Sequence, residues 1–533
     1  MKWQKTVEWI FLGALLVLSF AVKLIELDNP FYGDNSIRQL QTLSTIDYYT
    51  QNGIDLLKPR INYAGWPGIL VLELPIFQAM AALLSGFTEN SLITTRILNL
   101  GFALLSLVIV FKIAELLFDR EIAKYSMLFF AFAPLNLKYH PSVLIDVSNV
   151  TYALLANWFL LKYLQEKKNR GALALFTFFG SLCVAMKAIY FFPIATILIH
   201  HYGTQVNRPV MLNLAFYLRR NAEIFLAVLV IACVMTTWLV TTENLHHILD
   251  HGLATTESWK LLKLEFYIKS FYRLSEVVLN PLTLFLFILG CCWLWKNRHN
   301  RDGIVLVYTV VFYYLIFSNI TLAHEYYSLS MVPYFSMIAA CGFRWVVDQA
   351  ISTQLLKSRS ALKLLIYGVS AAASVLIFIS NNLIGVANKE ITPVKLSKEV
   401  SPKLVPGKYS IVYVNKPAVP LADFFPHRRT LYLLHYLKIL SDDQVRARVS
   451  RPIVPPVILY ALRQFGEVTY VTKPLRVDVD HLQEKYQGNL RYILFYLFGD
   501  QYGIPSGLKE YQQIYRSHEW TVFDLLEKNK IIG

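Results

Sequence analysis

Charge is what this chain is short of. Only 16% of its 533 residues are charged, where a soluble protein carries about 25%. Hydrophobic residues make up 55%, and the mean hydropathy is +0.42. The deficit excludes an ordinary soluble enzyme, because so apolar a surface has to face lipid. Cysteine is scarce as well. Cys183, Cys233, Cys291, Cys292 and Cys341 all fall in apolar runs, none with metal-site spacing, and the adjacent Cys291-Cys292 is a poor disulfide prospect. They read as small packing residues. No Lys/Arg-rich tail accounts for the net charge of +15, so the excess reads as positive-inside topology and not as a nucleic-acid footprint. No long repeat or low-complexity segment stands out.

What is present is a series of membrane-length apolar runs. The first follows a basic start and precedes no A-x-A-like cleavage site, so it is expected to be a retained span. Candidate spans are 9–27, 97–117, 125–139, 147–164, 171–186, 188–201, 223–241, 277–295, 303–320, 327–347 and 362–383, about eleven in all. The run 67–86 contains Glu73, Pro75 and Gln78. If it does not cross, the basic loops 162–170, 208–220, 296–301 and 357–363 all fall on the side of the N-terminus, the cytoplasmic side by the positive-inside rule. If it crosses, all four fall outside. It is therefore expected to be a juxtamembrane helix on the outer face.

The same count brings ionisable residues together on that outer face. Asp34, Lys138, His140, Asp146, Lys187 and Glu325 lie there, and polar groups at membrane depth are usually functional. The first outer loop, Asp28 to Gln78, is too long for a connector. It carries Asp34, Asp47, Asp55 and Glu73 with Arg38, Lys58 and Arg60, punctuated by Trp66, Pro67 and Pro75. It reads as the floor of an active site lying on a membrane. A later outer loop holds His246, His247, Asp250 and His251, a spacing that suits either a metal or an amphipathic interfacial helix. No cofactor is called for, and no ligand set demands a divalent cation.

After the last run hydropathy falls. Residues 390–533 are expected to form a small extracytoplasmic α/β domain, distinct from a membrane domain of 1–389. Its strand-like runs are 410–414, 430–434, 468–472, 492–498 and 520–525, and it has no P-loop or G-x-G-x-x-G.

An outer-surface acid, a lysine at membrane depth and an apolar bowl suit a lipid-linked anionic substrate. The lysine neutralises a phosphate, and the carboxylate assists an acceptor hydroxyl as it attacks a sugar carbon. The quoted segments GDNSIRQLQT (33–42), W-P followed by E-L-P-I-F-Q (66–78), Arg96, AP…YHPSVLID (133–146), Lys187 and HEYYSLSMVP (324–333) occur in order over roughly residues 10–345. In these the chain resembles the polytopic type C glycosyltransferases that use polyprenyl-phosphate-linked sugars, which include the protein O-mannosyltransferases and the lipid A aminoarabinose transferases.

The resemblance implies a multi-pass protein of the cell (inner) membrane with a polyprenyl-phosphate sugar donor and a lipid, glycan or protein acceptor. It implies a catalytic carboxylate in the first outer loop. Many members carry Asp-Glu there, whereas this chain has Asp34-Asn35, and an alignment through R-Q-x-x-T sets Gln41 at the acid's place. Asp34 is the first candidate base, with Glu73 and Asp146 as substitutes. Arg38, Gln39, Gln41, Arg60, Trp66, His140, Lys187, His324, Glu325 and Tyr326 are the candidate substrate-binding residues.

Overall fold

The computed structural model describes residues 2–25, 27, 36–61, 68–88, 90–166, 169–205, 221–242, 261–297, 301–353 and 359–387, then 409–415, 465–471, 479–487, 490–496, 508, 511–516 and 520–528. Asp34, Trp66, the histidines of 246–251 and the strand expected at 430–434 lie outside the described residues. Contacts divide the chain into two units. One comprises Met1–Phe31, Ile46–Pro59 and Val71–Ala387; the other comprises Tyr32–Thr45, Arg60–Leu70 and Asn388–Gly533.

The first unit is helical. Its elements are α1 (Lys2–Leu24), the C-terminal part of α2 (Ser36–Asn52), α3 (Ile76–Ser85), α4 (Ser91–Leu117), α5 (Arg120–Phe132), α6 (Pro134–Tyr139), α7 (Asp146–Gln165), α8 (Arg170–Lys187), α9 (Phe192–Gln205), α10 (Ala222–Thr241), α11 (Leu264–Arg273), α12 (Pro281–Lys296), α13 (Arg301–Ile316), α14 (Ser318–Ala323), α15 (Val332–Ser352) and α16 (Arg359–Ala387). The sequence starts many of them with a polar cap. Asn90, Asp119, Asn169 and Asn280 accept hydrogen bonds from the backbones of Ile93, of Glu121 and Ile122, of Ala172 and of Thr283. Such caps satisfy N–H groups that a helix start leaves open.

Helices occupy the expected runs, but 171–186 and 188–201 fall within one apolar stretch, Arg170–Gly203. Among the described residues four stretches, Ser91–Leu117, Arg170–Gly203, Ala222–Thr241 and Ala361–Ile379, are long and apolar enough to cross a bilayer, and the bent pair Leu264–Val278 with Pro281–Lys296 would make a fifth if counted as one span. Others are shorter or broken. The run 125–139 is interrupted at Ala133, whose ψ of 126° precedes Pro134; a proline disfavours helical backbone in the residue before it. Among the described residues of the run 67–86, Ile76–Ser85 is helical, starting directly after Pro75.

Polar pairs stitch the apolar helices. Ser106 and Thr151 meet at 2.8 Å, Thr196 and Thr309 at 2.6 Å, and the Asn157 amide donates to the Tyr334 hydroxyl at 2.9 Å. Such bonds matter where lipid offers no hydrophobic drive between helices. At the crossing of α12 and α15, Gly290 and Gly342 let the backbones touch: a Cβ on Gly290 would lie 1.9 Å from the Ile338 carbonyl oxygen, and one on Gly342 2.0 Å from that of Leu286.

The second unit holds a five-stranded sheet in the order β2-β1-β3-β5-β4, with β1 Tyr409–Asn415, β2 Phe465–Val471, β3 Leu490–Tyr496, β4 Tyr511–Arg516 and β5 Trp520–Lys528. β1 pairs parallel with β2 and β3, and β5 runs antiparallel to β3 and β4. Helix α17 (Val479–Lys485) connects β2 to β3. In the same unit Arg60 bridges Ile69, and Gly68 takes φ 78° at the turn, a region open to glycine. Four strands fall where the hydropathy places them; β4 is additional.

Candidate active site

Helices α7 and α8 have 20 and 18 residues and a short link. Matched lengths, about 30 and 27 Å at 1.5 Å per residue, return the end of α8 to the start of α7. Asp146 opens α7 and Lys187 closes α8, so the hairpin places them side by side. The Lys187 ammonium lies 2.6 Å from Asp146 Oδ1, and the Tyr190 hydroxyl donates to the same oxygen at 2.6 Å. Asp146 is fully buried, and its Oδ2 has no hydrogen-bond partner among the described residues.

Lys187 is where the helix stops. Its backbone is extended, φ −157° and ψ 99°, before a short 3-10 turn at Ala188–Phe191 that carries Tyr190. Asn149, one turn along α7 from Asp146, donates to the Lys187 carbonyl at 3.3 Å. The ammonium sits 4.6 Å from the ring centroid of Tyr327, 4.9 Å from that of Tyr326 and 6.0 Å from that of Tyr190. Ring faces attract a cation, most strongly where water is excluded. Tyr326 and Tyr327 stack with centroids 4.7 Å apart.

These tyrosines belong to a 3-10 turn, Glu325–Ser330, between α14 and α15. Glu325 from the same turn forms an ion pair with Lys138 and accepts from the Tyr139 hydroxyl at 2.7 Å. The turn thus carries an acid to one lysine and aromatic faces to the other. Arg273 secures its approach by donating to the carbonyls of Thr321 and Leu322, at 2.6 Å each. His324, at the head of the turn, is held below the usual imidazole range by burial and by the cations Lys187 and Arg273.

The structure thus joins Asp146 and Lys187 with Tyr326, and puts Glu325 and His324 on the same turn. Glu73 is buried and accepts from the Gln78 amide at 3.2 Å, and the next residue, Leu74, donates its N–H to the carbonyl of Ala185, two residues before Lys187. His140 is buried beside Phe130; burial, with Lys23 nearby, holds it well below its usual range. Arg38, Gln39, Gln41 and Arg60 belong to the second unit, where the Arg38 guanidinium donates to Gln41 Oε1 at 2.8 Å and the Arg60 carbonyl accepts from Thr45 at 3.1 Å. Sequence reasoning missed Tyr190, Tyr327, Asn149 and Arg273 as site residues. Tyr190 follows Lys187 by three residues and Tyr327 adjoins Tyr326, but in a chain with 32 tyrosines such nearness singles out neither; Asn149 and Arg273 gave no signal either.

Neither a family model nor a curated protein matches the chain. Solved structures do. ArnT from Cupriavidus metallidurans in the apo state superposes with a TM-score of 0.55 at 12% identity, covering 98% of both chains. The same protein bound to undecaprenyl phosphate gives 0.57 at 12% identity, over 97% of this chain and 98% of that one. The Archaeoglobus fulgidus oligosaccharyltransferase tethered to an acceptor peptide gives 0.50 at 10% identity, over 91% of this chain and 69% of that one. The chain therefore has the fold of the type C membrane glycosyltransferases, as the sequence resemblance implied.

Proposed function

We propose that this protein is a membrane glycosyltransferase that moves a sugar from a polyprenyl-phosphate donor to an acceptor on the extracytoplasmic side. The observation that carries the reading is the Lys187 ammonium, poised between a buried carboxylate and tyrosine faces where apolar helices end. Such a group is suited to the phosphate of a lipid that stays in the bilayer. The fold shared with ArnT, which has been crystallised with undecaprenyl phosphate, supports it.

In the proposed reaction a carboxylate of the first loop, Asp34 with Glu73 as its substitute, takes the proton of the acceptor hydroxyl. The hydroxyl oxygen attacks the anomeric carbon, the bond from that carbon to the phosphate oxygen breaks, and the phosphate leaves on the polyprenol. Lys187 and Arg38 take its negative charge. His324, Glu325 and Tyr326 are the proposed substrate contacts beside Lys187, and Gln39, Gln41, Arg60, Trp66 and His140 keep the substrate-binding roles that the resemblance implies. Asp146, paired with Lys187, serves as counter-charge.

Purified protein in lipid vesicles, given radiolabelled polyprenyl-phosphate sugar and a lipid extract as acceptor source, should transfer label to a new product. Movement of label across the bilayer without transfer would make the chain a transporter, and binding without either would make it a non-catalytic relative. Asp34→Asn should lower turnover by about 100- to 10,000-fold, the usual worth of a general base, with donor affinity unchanged. Full activity in that variant would move the base to Glu73 or Asp146.

The proposed topology has eleven spans, with the N-terminus in the cytoplasm and residues 390–533 outside. Cysteines introduced at Asn52 and Gln487, in a variant without the native cysteines, should react with an impermeant reagent added outside. Reaction only from the cytoplasmic side would reverse the assignment.

A further inference from the structure

Helix α11 carries its apolar stripe on the wrong side for a soluble protein. Leu264, Tyr267, Ile268 and Phe271 recur at the i, i+3, i+4, i+7 spacing of one helix face. They are 73%, 49%, 60% and 59% exposed. The opposite face packs inward through Phe266, which is 6% exposed, and through Arg273. Glu265 and Lys269 form an ion pair along the flank. The stripe therefore points away from the protein.

The orientation of the helix says what covers it. A π turn at Leu274–Val278 follows α11, and the direction from Leu264–Val278 to α12 changes by 116°. If α12 crosses the bilayer, a helix turned by that angle runs nearer the membrane plane than the bilayer normal. Its stripe is also continuous in kind with the outward residues of α12, where Phe285, Ile288 and Trp295 are exposed.

We propose that α11 is a membrane-surface anchor, with its apolar stripe seated in the acyl chains of one leaflet and Glu265 and Lys269 at headgroup level. The occupant is phospholipid. Exposed apolar residues on a helix lying in the interface plane bind in this way. The proposal stands apart from the glycosyltransferase reading, since it rests on the placement of α11 and needs no catalysis.

The test is spin-label depth measurement in phosphatidylcholine–phosphatidylglycerol vesicles. Nitroxides are placed singly at Leu264→Cys, Ile268→Cys and Phe271→Cys, with Glu265→Cys as control, in a variant without the native cysteines. Oxygen should collide with the three stripe labels more than a water-soluble nickel complex does, at shallow acyl depth, and the order should reverse at Glu265→Cys. Nickel-dominated collisions at Ile268→Cys and Phe271→Cys would put the stripe in water and overturn the proposal. Labels at the bilayer centre would make α11 part of a re-entrant segment, which also overturns it. If the cysteine-free variant fails to fold, a photo-crosslinking phenylalanine analogue in place of Tyr267 in the native chain gives the second measurement. Phospholipid adducts support the anchor, and adducts to protein alone refute it.

Discussion

Lys187→Met should weaken donor binding by at least about 30-fold, and it should also destabilise the protein, because it strands Asp146. The carboxylate is fully buried, and the ammonium is its charged partner among the described residues. Removing one member of such a pair typically costs about 3–5 kcal/mol. The two effects separate with a second substitution. Lys187→Met/Asp146→Asn removes the charge of both partners, and its thermal stability should return close to that of the native protein. Its donor affinity should stay at least about 30-fold weaker, as expected when a buried phosphate loses a charge worth about 2–5 kcal/mol. Native-like donor affinity in the stable double variant would remove Lys187 from the phosphate site. Asp146→Asn alone tests the counter-charge role: a raised KM for donor with kcat nearly kept fits a carboxylate that holds Lys187, whereas a loss confined to kcat would make Asp146 the base.

Gly342→Leu should prevent α12 and α15 from meeting. A Cβ at that position would lie 2.0 Å from the Leu286 carbonyl oxygen and 2.6 Å from the Gly290 nitrogen. These are backbone atoms and cannot swing aside, so the helices must part. Extra methylenes in a packed core cost about 1–3 kcal/mol, and a backbone collision belongs at or above the upper end. Gly290→Ala should show the same defect more mildly. Gly101→Ala is the control, because nothing lies within 4 Å of a Cβ there; alanine in a helix should be neutral or stabilising by up to about 1 kcal/mol. Thermal unfolding in detergent with the monodisperse fraction as second readout checks all three. An unchanged Tm for Gly342→Leu would show that the two helices do not pack at backbone contact.

The helices were legible because apolar runs of membrane length are a strong signal, and their breaks were partly so, as at Pro134. Lys187 and Asp146 were legible singly, since an ionisable residue among apolar ones calls for a reason. Their partnership was not, because it depends on α7 and α8 being of nearly equal length around a tight link. Tyr190 and Tyr327 were hidden by company: in a chain with 32 tyrosines, two more near the ends of apolar runs look like an interfacial belt. Gly290 and Gly342 were hidden for the opposite reason, since nothing in an apolar run marks which glycine faces another helix. Strand β4, Tyr511–Arg516, reads YQQIYR; without an apolar alternation it gives no strand pattern. Arg38 carries a clear charge signal, but its bond to Gln41 depends on helical spacing three residues on.

The crossing of α12 and α15 and the bonds from Arg273 form a closed frame. One side runs from Arg273 through the π turn into α12, the other from Leu322 through the Glu325–Ser330 turn into α15. The sides are pinned at Gly290 and Gly342 and tied at the top by the guanidinium. A loop closed at two points resists opening, so displacing the tyrosines over Lys187 means bending one of the two turns within it or releasing the tie at Arg273. The stiffness of the aromatic wall is thus a property of connectivity and not of any residue in the wall itself.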